Sequence, residues 1–229
     1  MYGTQIGKKF HQDGSAAYYP GNTVIADVCP GNPAYDVMVS CLKLLAEAGL
    51  DELFIPLPAD SYHMTVIRGV NDLVRDKAFW PDALKADCSM EEADAYMSRA
   101  VAGVANPGSI RMRFERARIT DEDFRILLVP ADAQQDRRLR DYRDAVADAV
   151  GLRLPGHDGY TFHMTLAYTW RLPSPAQRAQ MEALTEKMDA MLGRCTQVTV
   201  DPPHFAYYSD MLSFHKEPVS RGVTQEENR

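Results

Sequence analysis

The sequence carries one short pattern twice. Tyr62-His63-Met64-Thr65-Val66 and Phe162-His163-Met164-Thr165-Leu166 each read aromatic, histidine, methionine, threonine, aliphatic, and the two stand 100 residues apart. Alternation of apolar and polar residues marks a half-buried strand. Each copy therefore predicts a strand that turns Met64 and Val66, or Met164 and Leu166, into a core. His63 with Thr65, and His163 with Thr165, then share the other face, each pair about 7 Å apart along its strand. Each pattern follows a strand and a helix of its own half, so the chain reads as a weak internal duplication. A pseudo-dyad between the halves would set the two His/Thr pairs facing each other across one cleft.

The rest of the chain fits that frame. Thr23–Val28 is an apolar, β-branched run ending at Cys29-Pro30-Gly31, a strand and a turn. Asn32 as N-cap and Pro33 at the first helical position open a helix that Gly49 stops. Leu53–Leu57 and Tyr62–Val70 read as strands. Between Asn71 and Gly108 lies a polar connection with one helix, opened by a Ser89/Glu92 capping box. Met112–Thr120 and Phe124–Val129 are predicted strands, followed by a helix over about Ala133–Val150 and a strand over Thr161–Trp170. Ser174 and Gln177 form a second capping box, which launches a helix to Gly193. Gln197–Asp201, Phe205–Tyr208 and Met211–His215 are expected strands, and the polar tail from Lys216 to Arg229 is expected to be mobile.

Connections this short and hairpin-like exclude a doubly wound parallel sheet. The expected fold is α+β: one bilobal, pseudo-symmetric domain of two antiparallel sheets flanked by helices around a central cleft. Lobe one covers about residues 20–70, an insertion about 71–108, lobe two about 109–215, and the tail 216–229.

Composition limits the function classes. With 45% hydrophobic and 25% charged residues, the chain can bury a sizeable core and is not a disordered one. The net charge of −7 has the wrong sign for holding long nucleic acid by counterion release, although a local basic patch could override it. No apolar run is long enough to span a bilayer, and Met1–Gly14 lacks the pattern of a secretory signal. Cys29, Cys41, Cys88 and Cys195 lie far apart and form neither a CxxC pair nor a disulfide framework, so reduced thiols and a cytoplasmic location are expected.

Two imidazoles and two hydroxyls around one cleft suit phosphodiester chemistry. An imidazole titrates at about pH 6.5, so one can serve as base and the other as acid at neutral pH. The threonine hydroxyls can donate to non-bridging phosphate oxygens. This scheme calls for no metal or cofactor.

At these residues the sequence resembles the two-histidine (2H) phosphoesterase superfamily. Its hallmark is a pair of His-x-Thr/Ser-x motifs, here His63-Met64-Thr65-Val66 and His163-Met164-Thr165-Leu166. The resemblance runs over roughly Thr23 to His215. The insertion and the stretch Phe10–Tyr19 are not standard in the LigT-like pattern and point to an uncharacterised branch. The resemblance implies the LigT-like fold and metal-independent opening of a cyclic phosphate, of the 2′,3′-cyclic nucleotide or RNA-end type. It makes His63 the proton donor and His163 the acceptor, with Thr65 and Thr165 on the phosphate. The expected partner is a small phosphorylated substrate, with no long nucleic acid and no membrane, and the protein is expected to be a monomer.

Further candidates lie nearby. His157, in the turn Gly156-His157-Asp158-Gly159, is a candidate substrate contact. Tyr168 and Arg68 are further substrate-binding candidates, although both fall on the face opposite the histidines if their strands are regular: core packing is then the default for Tyr168 and salt bridging for Arg68, which becomes a phosphate clamp only with a bulge or at the strand end near Gly69. Tyr18, Tyr19, Tyr207 and Tyr208 could line a nucleobase pocket, Tyr207 being the chosen candidate. His11, His204 and His215 have no context that raises them above surface residues. Two alternatives stand beside the main reading: a nucleotide or RNA-end binding module without turnover, and a metal-dependent hydrolase using His63, His163 and His157.

Overall fold

The structure, a computed structural model, describes residues 1–195 and 197–219. Strand β1 (Gly21–Asp27) leads to α1 (Pro33–Glu47), whose N-cap Asn32 accepts from the Ala34 N–H. Short β2 (Phe54–Pro56) and long β3 (His63–Asn71) follow. Helix α2 (Met90–Ala102) begins at the Ser89/Glu92 capping box and precedes β4 (Ile110–Ile119) and β5 (Asp123–Pro130). Helix α3 (Ala133–Val150) starts at the Asp132 cap and ends at Gly151, whose φ of 65° suits a residue without a Cβ. Next come β6 (Phe162–Thr169), α4 (Pro175–Leu192) from its Ser174/Gln177 capping box, β7 (Val198–Val200) and β8 (His204–Tyr208).

All strand pairs are antiparallel, and the architecture is α+β. The two expected sheets meet edge to edge, so that one curled sheet runs β7-β4-β5-β6-β3-β1-β8, with β2 beside β6. The junction is narrow: β3 meets β6 at Met64 and Met164. The pseudo-dyad passes there, because Asp27, Ala26 and Ile25 pair with His63, Met64 and Thr65, while Leu127, Ile126 and Arg125 pair with His163, Met164 and Thr165.

The halves also interlock. Strand β2 of the first half pairs with β6 of the second, and β8, which comes after α4, returns to pair with β1 of the first. The insertion is part of the core, since Met90, Ala93, Met97 and Val101 of α2 are buried and the helix packs on α3 and β1. The expected strand Met211–His215 is not formed; a single bridge joins Tyr207 to His215, because a turn stabilised by Asp210 bends the chain and buries Met211. Of the tail, residues 216–219 are described, with Lys216 Nζ 3.4 Å from the Asp27 carboxylate, and 220–229 lie outside the described residues.

Both motif strands change face at the same place. On β3 the partner register skips Val66, and on β6 it skips Leu166, so Val66 with Ile67, and Leu166 with Ala167, are consecutive buried residues. Each is a β-bulge, which reverses the alternation beyond it. The carbonyl of each bulged residue finds a donor: Val66 O accepts from the buried Arg143 guanidinium, and Leu166 O accepts from the Leu57 N–H at 2.8 Å. A buried acceptor left unpaired would oppose either bulge.

Candidate active site

The concave face of the sheet holds a cleft of about 800 Å³ lined by His63, Thr65, His163 and Thr165. Residues 63 and 163 lie diagonally across the Met64/Met164 junction, on the face opposite the two methionines. Each ring is pinned in the same way. His63 Nδ1 lies 2.7 Å from the Ser61 carbonyl oxygen, and His163 Nδ1 lies 3.0 Å from that of Thr161. A carbonyl only accepts, so Nδ1 carries the hydrogen and Nε2 is left with a lone pair when the ring is neutral.

The two rings differ in their neighbours. Phe214 lies against His63 at 4.3 Å between ring centroids, and Tyr160 stands 6.1 Å from His163. Burial pulls both imidazoles down to about 4, against the hydrogen bonds to Ser61 and Thr161 that raise them. Both are therefore neutral at pH 7 in the free protein. Desolvation disfavours the imidazolium at both rings, where the sequence alone suggests that one is protonated at small cost at neutral pH.

The bulges decide the remaining site residues. Beyond Val66, Arg68 faces the cleft, exposed and without an ion-pair partner among the described residues, which corrects the salt-bridge expectation. Tyr168 is buried in the core, as expected, and beyond the Leu166 bulge it also lines the cleft, with its hydroxyl 3.5 Å from Met211 Sδ. The next turn of β3 needs Gly69, where a Cβ would stand 2.0 Å from Asn22 Oδ1. Tyr207 does not line the cleft: it packs edge-on against Phe205, and the neighbouring Tyr208 takes the cleft side. Tyr19 lines it as well, whereas Tyr18 is exposed and does not.

His157 is buried and turned away, with Nε2 2.9 Å from Asp144 Oδ1, so it does not join His63 and His163. The metal alternative thus loses its third histidine. Asp144, His157 and Asp158 do bring their donor atoms together, but Arg153 already pairs with both carboxylates, at 2.8 Å and 3.2 Å.

Sequence reasoning missed five contributors. Lys9 lines the cleft with Nζ 5.1 Å from the Tyr168 ring centroid and 5.7 Å from that of Tyr19, and burial lowers its pKa. Arg125 lies beside Thr165 and is held by Asp123 and Glu122. Tyr160 lines the cleft beside His163, Phe214 covers His63, and Arg143 supports the Val66 bulge while donating to the His157 carbonyl at 2.8 Å. Only Arg143 left a sequence signal, as a charged residue on the stripe formed by Leu139, Tyr142 and Val146. Val74 and Phe79 bring the insertion to the cleft wall.

A family model described as 2H-phosphodiest, domain of unknown function (DUF1868), matches residues 9–122, which include the first motif. The chain belongs to the two-histidine phosphoesterase superfamily, and phosphoester hydrolysis is the class of reaction that this membership supports. The chain is similar to the conserved protein of unknown function ATU0111 from Agrobacterium tumefaciens str. C58, with 26% identity, a TM-score of 0.85, and coverage of 93% of this chain and 91% of that one. Escherichia coli LigT in its apo form aligns at 12% identity and a TM-score of 0.45, over 83% of this chain and 88% of that chain. For TT0787 of Thermus thermophilus the values are 16%, 0.39, 67% and 76%. No curated protein matches the chain. Among the described residues, no helix is long and apolar enough to cross a membrane.

Proposed function

We propose that the protein is a metal-independent phosphodiesterase that opens a cyclic phosphate of the 2′,3′-cyclic nucleotide or RNA-end type. The observation that carries this reading is the paired arrangement of His63 and His163, each fixed through Nδ1 to the carbonyl two residues back and each presenting Nε2 to one cleft. In the hydrolytic step the neutral imidazole takes a proton from water as its oxygen bonds to phosphorus. One ring P–O bond breaks, and the protonated imidazole gives its proton to the leaving oxygen. The product is a phosphomonoester, and the histidines, now with exchanged protonation, reset through solvent. By family resemblance His63 is the donor and His163 the acceptor.

The substrate supplies the missing charge. An anionic phosphate between two neutral imidazoles raises their pKa values and draws a proton onto one of them. Thr65 and Thr165 donate to the non-bridging oxygens, and Arg68 and Lys9 offer positive charge to the same anion.

The test is turnover of a panel of 2′,3′-cyclic nucleotides, with and without chelator, by the wild type, His63→Ala and His163→Ala. Each substitution is expected to lower kcat by about 10²–10⁴-fold, the usual share of general acid–base catalysis. Activity that chelator abolishes, or that survives both substitutions, would overturn the mechanism. Tight binding of a cyclic phosphate recovered intact would instead favour a binding module.

A further inference from the structure

Strand β4 carries an arginine series, Arg113, Arg116 and Arg118, in a chain whose net charge is −7. Its register against β5 fixes where these side chains go. Arg113 pairs with Val129, Arg116 with Leu127 and Arg118 with Arg125, while Glu115 is taken up in a bulge. Leu127 and Arg125 in turn pair with His163 and Thr165, and both line the cleft, as does Arg118. Cross-strand register therefore sets the three arginines on the histidine face, Arg118 lining the cleft and Arg116, which also borders a hollow beside α4, about 7 Å from it along the strand. All three are exposed. None has an ion-pair or hydrogen-bond partner for its guanidinium among the described residues, whereas the flanking Arg111 and Arg125 are paired, with Asp132 and with Asp123.

We infer that this face is a phosphate track for a single-stranded RNA whose cyclic-phosphate end sits between His63 and His163. The inference rests on the proposed phosphodiesterase reading and deepens it, from a small cyclic nucleotide to an oligoribonucleotide end. Guanidinium groups recognise phosphate through forked donors and stay charged at any working pH. A spaced row on a sheet face beside a phosphodiester site holds successive phosphates of one strand, while the acidic remainder of the surface keeps other polyanion contacts weak.

The experiment compares a nucleoside 2′,3′-cyclic phosphate with a short oligoribonucleotide ending in the same group, using wild type and the double variant Arg113→Gln/Arg116→Gln. Both positions are exposed, and unchanged thermal melting checks the fold. KM for the oligonucleotide is expected to rise about tenfold or more, and its log–log salt slope to shrink by about 0.7 per lost contact. Mononucleotide turnover is expected to stay the same. Equal KM values and slopes for wild type and variant would overturn the track. If the wild type turns over neither substrate, the phosphodiesterase reading fails on its own. Anisotropy of the same oligonucleotide ending in a 3′-phosphate then tests the track: salt-sensitive binding weakened in the variant supports it, and no difference removes it.

Discussion

The two halves of the cleft share a backbone plan and differ in what they place on it. His63 and His163 have the same hydrogen bond to the second preceding carbonyl, and Val66 and Leu166 the same bulge. Beyond the bulges the equivalent positions are Arg68, a cation with no ion-pair partner among the described residues, and Tyr168, a buried phenol that carries Lys9 on its face. Against the histidines stand Phe214 from the end of the chain and Tyr160 from the loop before β6. The repeated backbone supplies two equivalently held imidazoles, and the unequal side chains set an exposed guanidinium beside one and a buried phenol beside the other.

That comparison breaks most easily at 68 and 168. Arg68→Ala is expected to lower kcat/KM about 10–100-fold, the value of a charge-assisted hydrogen bond of about 1.5–3 kcal/mol. Tyr168→Phe, which removes only the contact with Met211, is expected to leave it within about threefold, since a neutral hydrogen bond is worth about 1 kcal/mol or less in net terms. Equal losses in the two variants would show that the halves contribute alike. The histidine neighbours sharpen the comparison further. Phe214→Ala admits water to His63 and is expected to raise its pKa from about 4 by about one unit, with His163 unmoved. Imidazole C–H signals followed by NMR across pH would report both rings separately.

Much of this was legible before the fold was known. The helix caps Asn32, Ser89 and Ser174 work as their sequence context implies, because capping depends on residues within one helical turn. Each histidine shares a face with its threonine because the two-residue period of a strand is local too. Lys9 and Phe214 were not legible: they reach the cleft from opposite ends of the chain, and nothing in their own neighbourhoods says what they will cover.

A further expected effect is on stability against acid. An unfolded histidine takes its proton at about pH 6.5, while His63 and His163 do so only near 4 when folded. Between those limits the unfolded chain binds more protons, so this share of stability is complete above about 6.5 and is lost as the pH falls through 4. The variant His63→Gln/His163→Gln should therefore lose less stability than the wild type over that interval. Denaturant midpoints at both ends of the range would show it, and parallel declines would mean that other groups dominate.

The sequence by itself determined the duplicated motif, most of the strands and helices, and the placing of each histidine on one strand face with its threonine. All of these follow from periodicity and capping, which act over a few residues, whereas the pairing of β3 with β6 that brings the two pairs to one cleft is tertiary. Tertiary structure decided that Arg68 and Tyr168 face the cleft, that Tyr208 lines it in place of Tyr207, and that His157 turns to Asp144. A bulge is a mismatch in length between two paired strands, and it holds only when the carbonyl it frees finds a donor. Here those donors are Arg143 and Leu57, more than 70 and 100 residues away in sequence, so no local pattern could announce them.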